Sequence, residues 1–158
     1  MADLLCSYLK DHHAGSTMGI ELARRAAANN SENAYGAELS EIAAQIDDDR
    51  KALEALMDHL DCSPDRVKDT VAWAAEKAGR LKPNGRLLGY SPLSRVVELE
   101  GLALGVTGKL ALWRAVRPAL GDRPGGVDLA ELEARASDQQ TRLESLRLRA
   151  AAEAFDKA

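Results

Sequence analysis

The sequence is poor in the residues from which most enzyme sites and metal centres are built. It has three histidines and two cysteines in 158 residues, and aromatic residues make up only 4% of the chain. The two cysteines are too few for a disulfide framework and lack metal spacing, so we expect Cys6 and Cys62 to be reduced thiols. If the first two long helices form a hairpin, both cysteines fall at its open end, and a pair formed under oxidation is the alternative. No Gly-x-Ser-x-Gly, Cys/His dyad or dinucleotide fingerprint occurs, so hydrolases and dinucleotide-dependent oxidoreductases have no positive support.

Long apolar runs and a basic charge balance are missing as well. No run approaches the ~18 apolar residues that a membrane span requires. Met1 leads directly into an amphipathic segment without a basic region, which is not the pattern of a signal peptide. The net charge of −4 does not provide the basic surface that general nucleic-acid binding needs. We therefore expect a cytoplasmic protein that binds neither membranes nor nucleic acid.

The residues that are abundant favour helices. Alanine and leucine supply most of the apolar surface, and both are strong helix formers. Apolar side chains recur at steps of three and four, the spacing of one helix face, whereas no segment shows the period-two alternation of a strand. The clearest such seam is Leu39, Ile42, Ile46, Asp49, Leu53, Leu56 and Leu60. The pattern predicts an all-α fold, with one domain over residues 1–158.

Start and stop signals divide the chain into four long helices and one shorter helix. Ser91-Pro92 pairs an N-cap with a proline at the first helical position, and Asp128 opens a capping-box-like start. Pro118 and Gly121 are expected to end the third long helix. The predicted long helices cover residues 3–28, 35–61, 92–117 and 128–155, and the shorter one covers residues 64–78.

The connection between the second and third long helices is long enough to run the height of a bundle, which gives an up-down-down-up arrangement. In this layout, and in the segments 41–53 and 11–15, the chain resembles the ferritin-like superfamily. It is similar to bacterial ferritin-like proteins that have no assigned activity. The resemblance implies a four-helix bundle that carries the extra shorter helix in its crossover.

A ferritin-like di-metal centre uses a glutamate from each of two helices and Glu-x-x-His from each of the other two. The sequence contains no Glu-x-x-His, and the last two long helices contain no histidine. We therefore expect no intact di-metal site, no catalytic residue and no cofactor. If iron, manganese or zinc is bound, the candidate ligands are His12, Asp49, Glu100 and Gln139.

Asp49 interrupts an apolar seam, and a buried carboxylate needs a partner. The helix register places it near Ser16, Thr107 and Gln139, with His12 about one turn away. One interpretation is a site for a single metal or a small polar ligand. The other is a structural layer in which His12 and Asp49 bond each other or a buried water and so fix the helix register.

Glycines form a second pattern, with Gly15 and Gly19 in the first helix and Gly101, Gly105 and Gly108 in the third long helix. Glycine inside a helix costs ~1 kcal/mol relative to alanine, so these positions need a reason. We expect close packing of the two helices at these glycines, with little room for a cofactor between them. A contact with a partner subunit is the alternative.

These observations favour a structural or protein-interaction module over an enzyme. Residues 1–60 have a net charge of −6 and residues 61–128 a net charge of +3, so unlike faces of two copies could meet, and we expect a homodimer. One alternative is a metal-binding protein or metal-dependent oxidoreductase. A second is a small-ligand carrier, whose pocket would need an apolar void lined by Leu53, Val106 and Leu143.

Overall fold

The computed structural model of the protein describes residues 2–62 and 89–156, and all regular structure in these two ranges is helical. Four long helices are present, with a 3-10 turn before the last. They are α1 (Ala2–Asn29), α2 (Gly36–His59), α3 (Pro92–Leu120), the 3-10 turn (Pro124–Gly126) and α4 (Leu129–Phe155). The all-α prediction is confirmed. The predicted helix over residues 64–78 lies outside the described residues.

The helices pack as antiparallel neighbours. Helix α1 contacts α2 and α3, and α3 contacts α4 most extensively. Ion pairs between side chains connect the helices. The ion pairs are Arg24–Asp47 between α1 and α2, Arg25–Glu98 between α1 and α3, Arg117–Glu133 and Arg95–Glu153 between α3 and α4, and Arg142–Glu38 between α2 and α4.

The apolar core is divided into two clusters along the bundle. One cluster contains Ile20, Leu39, Leu99 and Leu143, and the other lies towards the opposite end. The second contains Leu9, Leu56, Trp113, Leu129 and their neighbours. Between the clusters every helix contributes polar residues or glycines. The functional candidates described below come from this middle layer.

The predicted seams agree well with burial. The first six residues of the α2 seam are buried. The sequence also predicts seven inward positions for the last helix, and all are buried: Leu129, Leu132, Ala136, Gln139, Leu143, Leu146 and Ala150. The end of α3 differs from the prediction, because Pro118 lies inside the helix, which continues to Leu120. Proline removes only one hydrogen bond in this last turn, and Gly121 closes the helix by donating its backbone N–H to Arg117 O at 2.9 Å.

Side-chain caps fix the starts of α3 and α4 as predicted. Ser91 Oγ accepts from the Ser94 backbone N–H at 3.1 Å, and Ser94 Oγ accepts from the Ser91 N–H in return. Asp128 accepts from the backbone N–H of Glu131 at 3.0 Å. These bonds satisfy N–H groups that have no partner within the helix.

Cys6 and Cys62 form a disulfide, so the prediction of reduced thiols is wrong. Their Cα atoms lie 5.2 Å apart, within the usual range for a disulfide. The bond ties the first turns of α1 to the residue just beyond the end of α2, because the antiparallel hairpin brings these two ends together. It closes a loop with a sequence separation of 56 residues.

No helix within the described ranges is both long enough and apolar enough to cross a membrane.

Candidate functional site

A buried ionic cluster occupies the middle layer of the bundle. Its centre is Asp49 of α2, which is 1% exposed. Lys109 of α3 donates to Asp49 Oδ2, and Arg135 of α4 donates to Oδ1 at 3.0 Å. Gln139 of α4, which is fully buried, also donates to Asp49 Oδ2 at 3.2 Å. We call these four residues the Asp49 cluster; it links three of the four helices.

The amide of Gln139 organises the cluster further. Its Nε2 donates both to Asp49 and to Gln45 Oε1, each at 3.2 Å, while its Oε1 accepts from Lys109. Both ends of the amide are therefore used, as a fully buried polar side chain requires.

Asp49 is shared between two cations. It pairs with both Lys109 and Arg135, and Arg135 has a second partner, Glu131, whose carboxylate lies at the surface. Burial lowers the pKa of Lys109 from its usual value; Asp49 acts against this shift, and the like charge of Arg135 reinforces it. Asp49 is thus the one carboxylate among the described residues that pairs with Lys109, and it is not exclusive to it.

The structure brings some of the predicted site residues together and separates others. Asp49 and Gln139 are hydrogen-bonded, as described, whereas the predicted bond between His12 and Asp49 is replaced by the bonds to Lys109 and Arg135. Thr107 was expected in this layer but is exposed and donates to Ala103 O. Glu100 is exposed on α3, away from the other three candidates.

A cavity of about 540 Å³ adjoins the Asp49 cluster, between α1 and α3 and over α2. Asp49 and Lys109 line it, together with His12 and Ser16 of α1. Apolar side chains form most of its remaining wall, which includes Ile46, Leu53, Leu102, Val106, Leu112 and Trp113. Of the three residues predicted to line an apolar pocket, Leu53 and Val106 do so. Leu143 instead packs in the core cluster around Leu99.

Five glycines also line the cavity, and they correct the prediction of close helix packing. A Cβ added at Gly15, Gly19, Gly105 or Gly108 would meet no atom within 4 Å. Gly101 differs, since its Cβ would lie 3.1 Å from Leu22 Cδ2. Four of the five positions therefore border open space. The glycines leave room between α1 and α3 that larger residues would fill.

Aromatic residues form the end of the cavity nearest the start of α1. Trp113 is 1% exposed, and its Nε1–H has no hydrogen-bond partner among the described residues. The rings of Tyr8 and His12 meet edge to face, with centroids 4.7 Å apart. Burial lowers the pKa of His12, although the nearby Asp11 carboxylate partly opposes this shift. The imidazole is accordingly held in its neutral form near pH 7.

The side chains of this site do not form a metal-binding set. Within the described ranges no three side chains of histidine, cysteine, aspartate or glutamate lie close enough to hold a metal ion. Asp49 already accepts from two cationic side chains, and their charge opposes the approach of a third cation. The geometry therefore favours a neutral or anionic ligand over a divalent cation.

Sequence reasoning missed Lys109 and Arg135, although a signal for Lys109 existed. The predicted seam of α3 followed Val96, Leu99, Ala103, Val106, Leu110 and Trp113. A second series, Leu99, Leu102, Val106, Lys109 and Trp113, shares three of these residues and also faces inward. A buried aspartate requires a cation, and Lys109 is the only cation in that second series.

Comparison with known proteins does not identify this site. No family model, curated protein or solved structure matches the chain.

Proposed function

We propose that the protein binds a small, largely apolar molecule in the cavity between α1 and α3. The observation that carries this proposal is the cavity itself, with glycine backbone on two of its walls and an ionic cluster at one side. Ligand sites are typically concave and mostly apolar, with a few placed polar groups, and volumes of about 300–1,000 Å³ are usual.

The glycines support binding over a purely structural role. Each internal glycine costs roughly 1 kcal/mol of helix stability relative to alanine. At Gly15, Gly19, Gly105 and Gly108 no internal contact offsets that cost, because an added Cβ would meet nothing. What these residues provide is space.

The test is to fill the cavity from both walls and measure binding of the neutral fluorescent dye Nile red. Gly15 and Gly108 line opposite walls, so the double variant Gly15→Leu/Gly108→Leu should fold normally and lose dye binding. Ala111→Leu adds the same side chain at an exposed position of α3 that does not line the cavity, and it should bind like the native protein. Equal dye binding by all three proteins would refute the proposal.

We also propose that the bundle has ferritin-like connectivity. The antiparallel pairing of α1 with α2, of α1 with α3 and of α3 with α4 supports an up-down-down-up order. Metal-binding members of the ferritin-like superfamily hold a di-metal centre in the middle layer of the bundle. In this proposal, the Asp49 cluster and the cavity occupy that layer instead. Metal analysis of protein purified without an affinity tag or chelator tests it. Stoichiometric iron, manganese or zinc would favour the metal-binding alternative.

A second candidate function, a homodimeric interaction module, is favoured by the outer face of α3. Leu93, Val97 and Leu104 follow the spacing of one helix face and are 56%, 47% and 67% exposed. Apolar residues clustered on a surface mark contact sites more often than scattered ones do. Sedimentation should give a dimer for the native chain and a monomer for Leu93→Glu. A native monomer would exclude this candidate.

The location of the protein is a separate proposal. The cytoplasm is the expectation from the sequence, whereas disulfides persist mainly in oxidising compartments. A free-thiol count on Cys6 and Cys62 in protein trapped from cells separates the two. Two free thiols would support the cytoplasm, and an oxidised pair would support export.

A further inference from the structure

The cavity of the proposed function is lined by one lysine that has a hydrogen-bond donor which no described residue takes up. Lys109 gives two of its three N–H groups to Asp49 and Gln139. Nothing in the described ranges takes the third, and the residue lines the cavity. Trp113, one helical turn further along α3, also lines the cavity, but its Nε1 atom is buried within the protein. The third N–H of Lys109 is therefore the donor that is available to a ligand in this part of the cavity.

The local charge indicates which acceptor would suit this donor. Asp49 is the one buried carboxylate among the described residues, and it is shared between Lys109 and Arg135. Asp11, the other carboxylate of the cavity wall, is exposed. An anionic oxygen beside Lys109 would be a second negative partner for an ammonium group that shares Asp49 with Arg135. A further cation in the cavity would meet repulsion from Lys109 and from Arg50, which also lines it.

The rest of the cavity suits an extended apolar body. On α3 its wall runs from Gly101 to Trp113, a helical rise of about 18 Å. Much of the remaining wall is formed by glycine backbone and the side chains of Leu102, Leu104, Val106 and Ile46. Leu104 is exposed as well as lining the cavity, so the cavity reaches the surface beside it.

We propose that the ligand is an anionic amphiphile whose carboxylate-type head group accepts a hydrogen bond from Lys109, while its apolar body lies along the glycine walls. This assignment rests on the proposed function and adds the chemical class of the ligand. Lys109 is thereby the residue that determines specificity for the head group.

The experiment compares three probes with one tail and different head groups: dodecanoate, dodecanol and dodecylammonium. Each is titrated against Nile red bound to the native protein. Dodecanoate should bind about tenfold or more tightly than dodecanol, which is the usual effect of one buried charge-assisted hydrogen bond. Dodecylammonium should bind more weakly than dodecanol. The Gly15→Leu/Gly108→Leu variant should bind none of the three.

Two variants assign the effect to the cluster. Lys109→Met should reduce the affinity for dodecanoate about tenfold and change that for dodecanol little, whereas Lys51→Met, at an exposed lysine, should change neither. Asp49→Asn should raise the affinity for dodecanoate relative to dodecanol, because it removes the competing negative charge. A purely structural role of Asp49 would not produce this gain in affinity. The Asp49→Asn variant therefore still tests the assignment if Lys109→Met does not fold.

The outcomes separate the two proposals. If dodecanol or dodecylammonium binds the native protein as tightly as dodecanoate does, the cavity binds ligands but the head-group assignment is wrong. An unchanged preference in Asp49→Asn would also overturn the assignment. If Nile red and all three probes fail to bind, the proposed function itself is refuted.

Discussion

Lys109 of α3 donates a hydrogen bond to Asp49 of α2 across the interior of the bundle. This contact joins two helices that are separated by more than 30 residues of chain between His59 and Pro92, at the height where the apolar core is interrupted. It also places an ammonium group in the wall of the cavity. The same pair therefore fixes the relative position of the helices and gives the cavity its polar side.

Removing one partner of this pair should destabilise the fold strongly. Asp49→Ala leaves Lys109 buried without its carboxylate, and we expect the free energy of unfolding to fall by about 3–5 kcal/mol. Lys109→Met is the second single variant, and the double variant Asp49→Ala/Lys109→Met removes both charges, while Arg135 keeps its partner Glu131. It should lose much less than the sum of the single variants. Urea unfolding of all four proteins measures the coupling, and strictly additive losses would show that the pair is not coupled.

Glycine substitutions should have opposite effects at two positions. Gly105→Ala should stabilise the protein by about 1 kcal/mol, because alanine is the better helix former and its Cβ meets nothing. Gly36→Ala should destabilise it by about 1–3 kcal/mol, since the added Cβ would clash with the backbone oxygen of Asn30 and lie 2.9 Å from Ser31 Cα. Thermal unfolding distinguishes the two. A loss of stability in Gly105→Ala would mean that the helices pack closely there after all.

The disulfide should contribute measurably to stability. Cys62→Ser opens a loop with a sequence separation of 56 residues, and we expect a loss of about 2–4 kcal/mol under oxidising conditions. With reductant present, the native chain and the variant should unfold at similar denaturant concentrations. An equal stability of the two proteins without reductant would indicate that the cysteines are not paired in solution.

His12 should make the protein less stable in mild acid. Burial lowers its pKa in the folded state below the usual value of 6.5, so between these two pKa values the unfolded chain binds more protons than the folded one. The free energy of unfolding should therefore decrease as the pH falls through 6.5. Urea midpoints at several pH values should show a smaller decrease for His12→Gln than for the native protein. Equal pH dependence would contradict the assignment.

The sequence predicted the helices well because their cores follow a regular period. On α4 the seam from Leu129 to Ala150 has a single series of apolar residues, so its buried face was unambiguous. On α3 two series share Leu99 and Val106, and periodicity does not say that Lys109 turns inward. That choice depends on Asp49, which lies 60 residues away in the chain.

The glycines and the cysteines show a different limit of sequence reasoning. The spacing of Gly15 and Gly19 is the same whether a helix packs closely there or borders a cavity. Only the distance between α1 and α3 separates these cases, and side chains elsewhere on both helices set that distance. Pairing of Cys6 with Cys62 likewise depends on how the ends of the hairpin meet.

The most direct test of the account is the fluorescence of Trp113 during a dodecanoate titration. The chain has two tryptophans, so the Trp73→Phe variant leaves Trp113 as the only reporter, and this residue lines the cavity. We expect a saturable change in its emission in the native background and none after Gly15→Leu/Gly108→Leu. A signal that does not saturate, or one that is unchanged when the cavity is filled, would contradict the proposal that this cavity is a binding site.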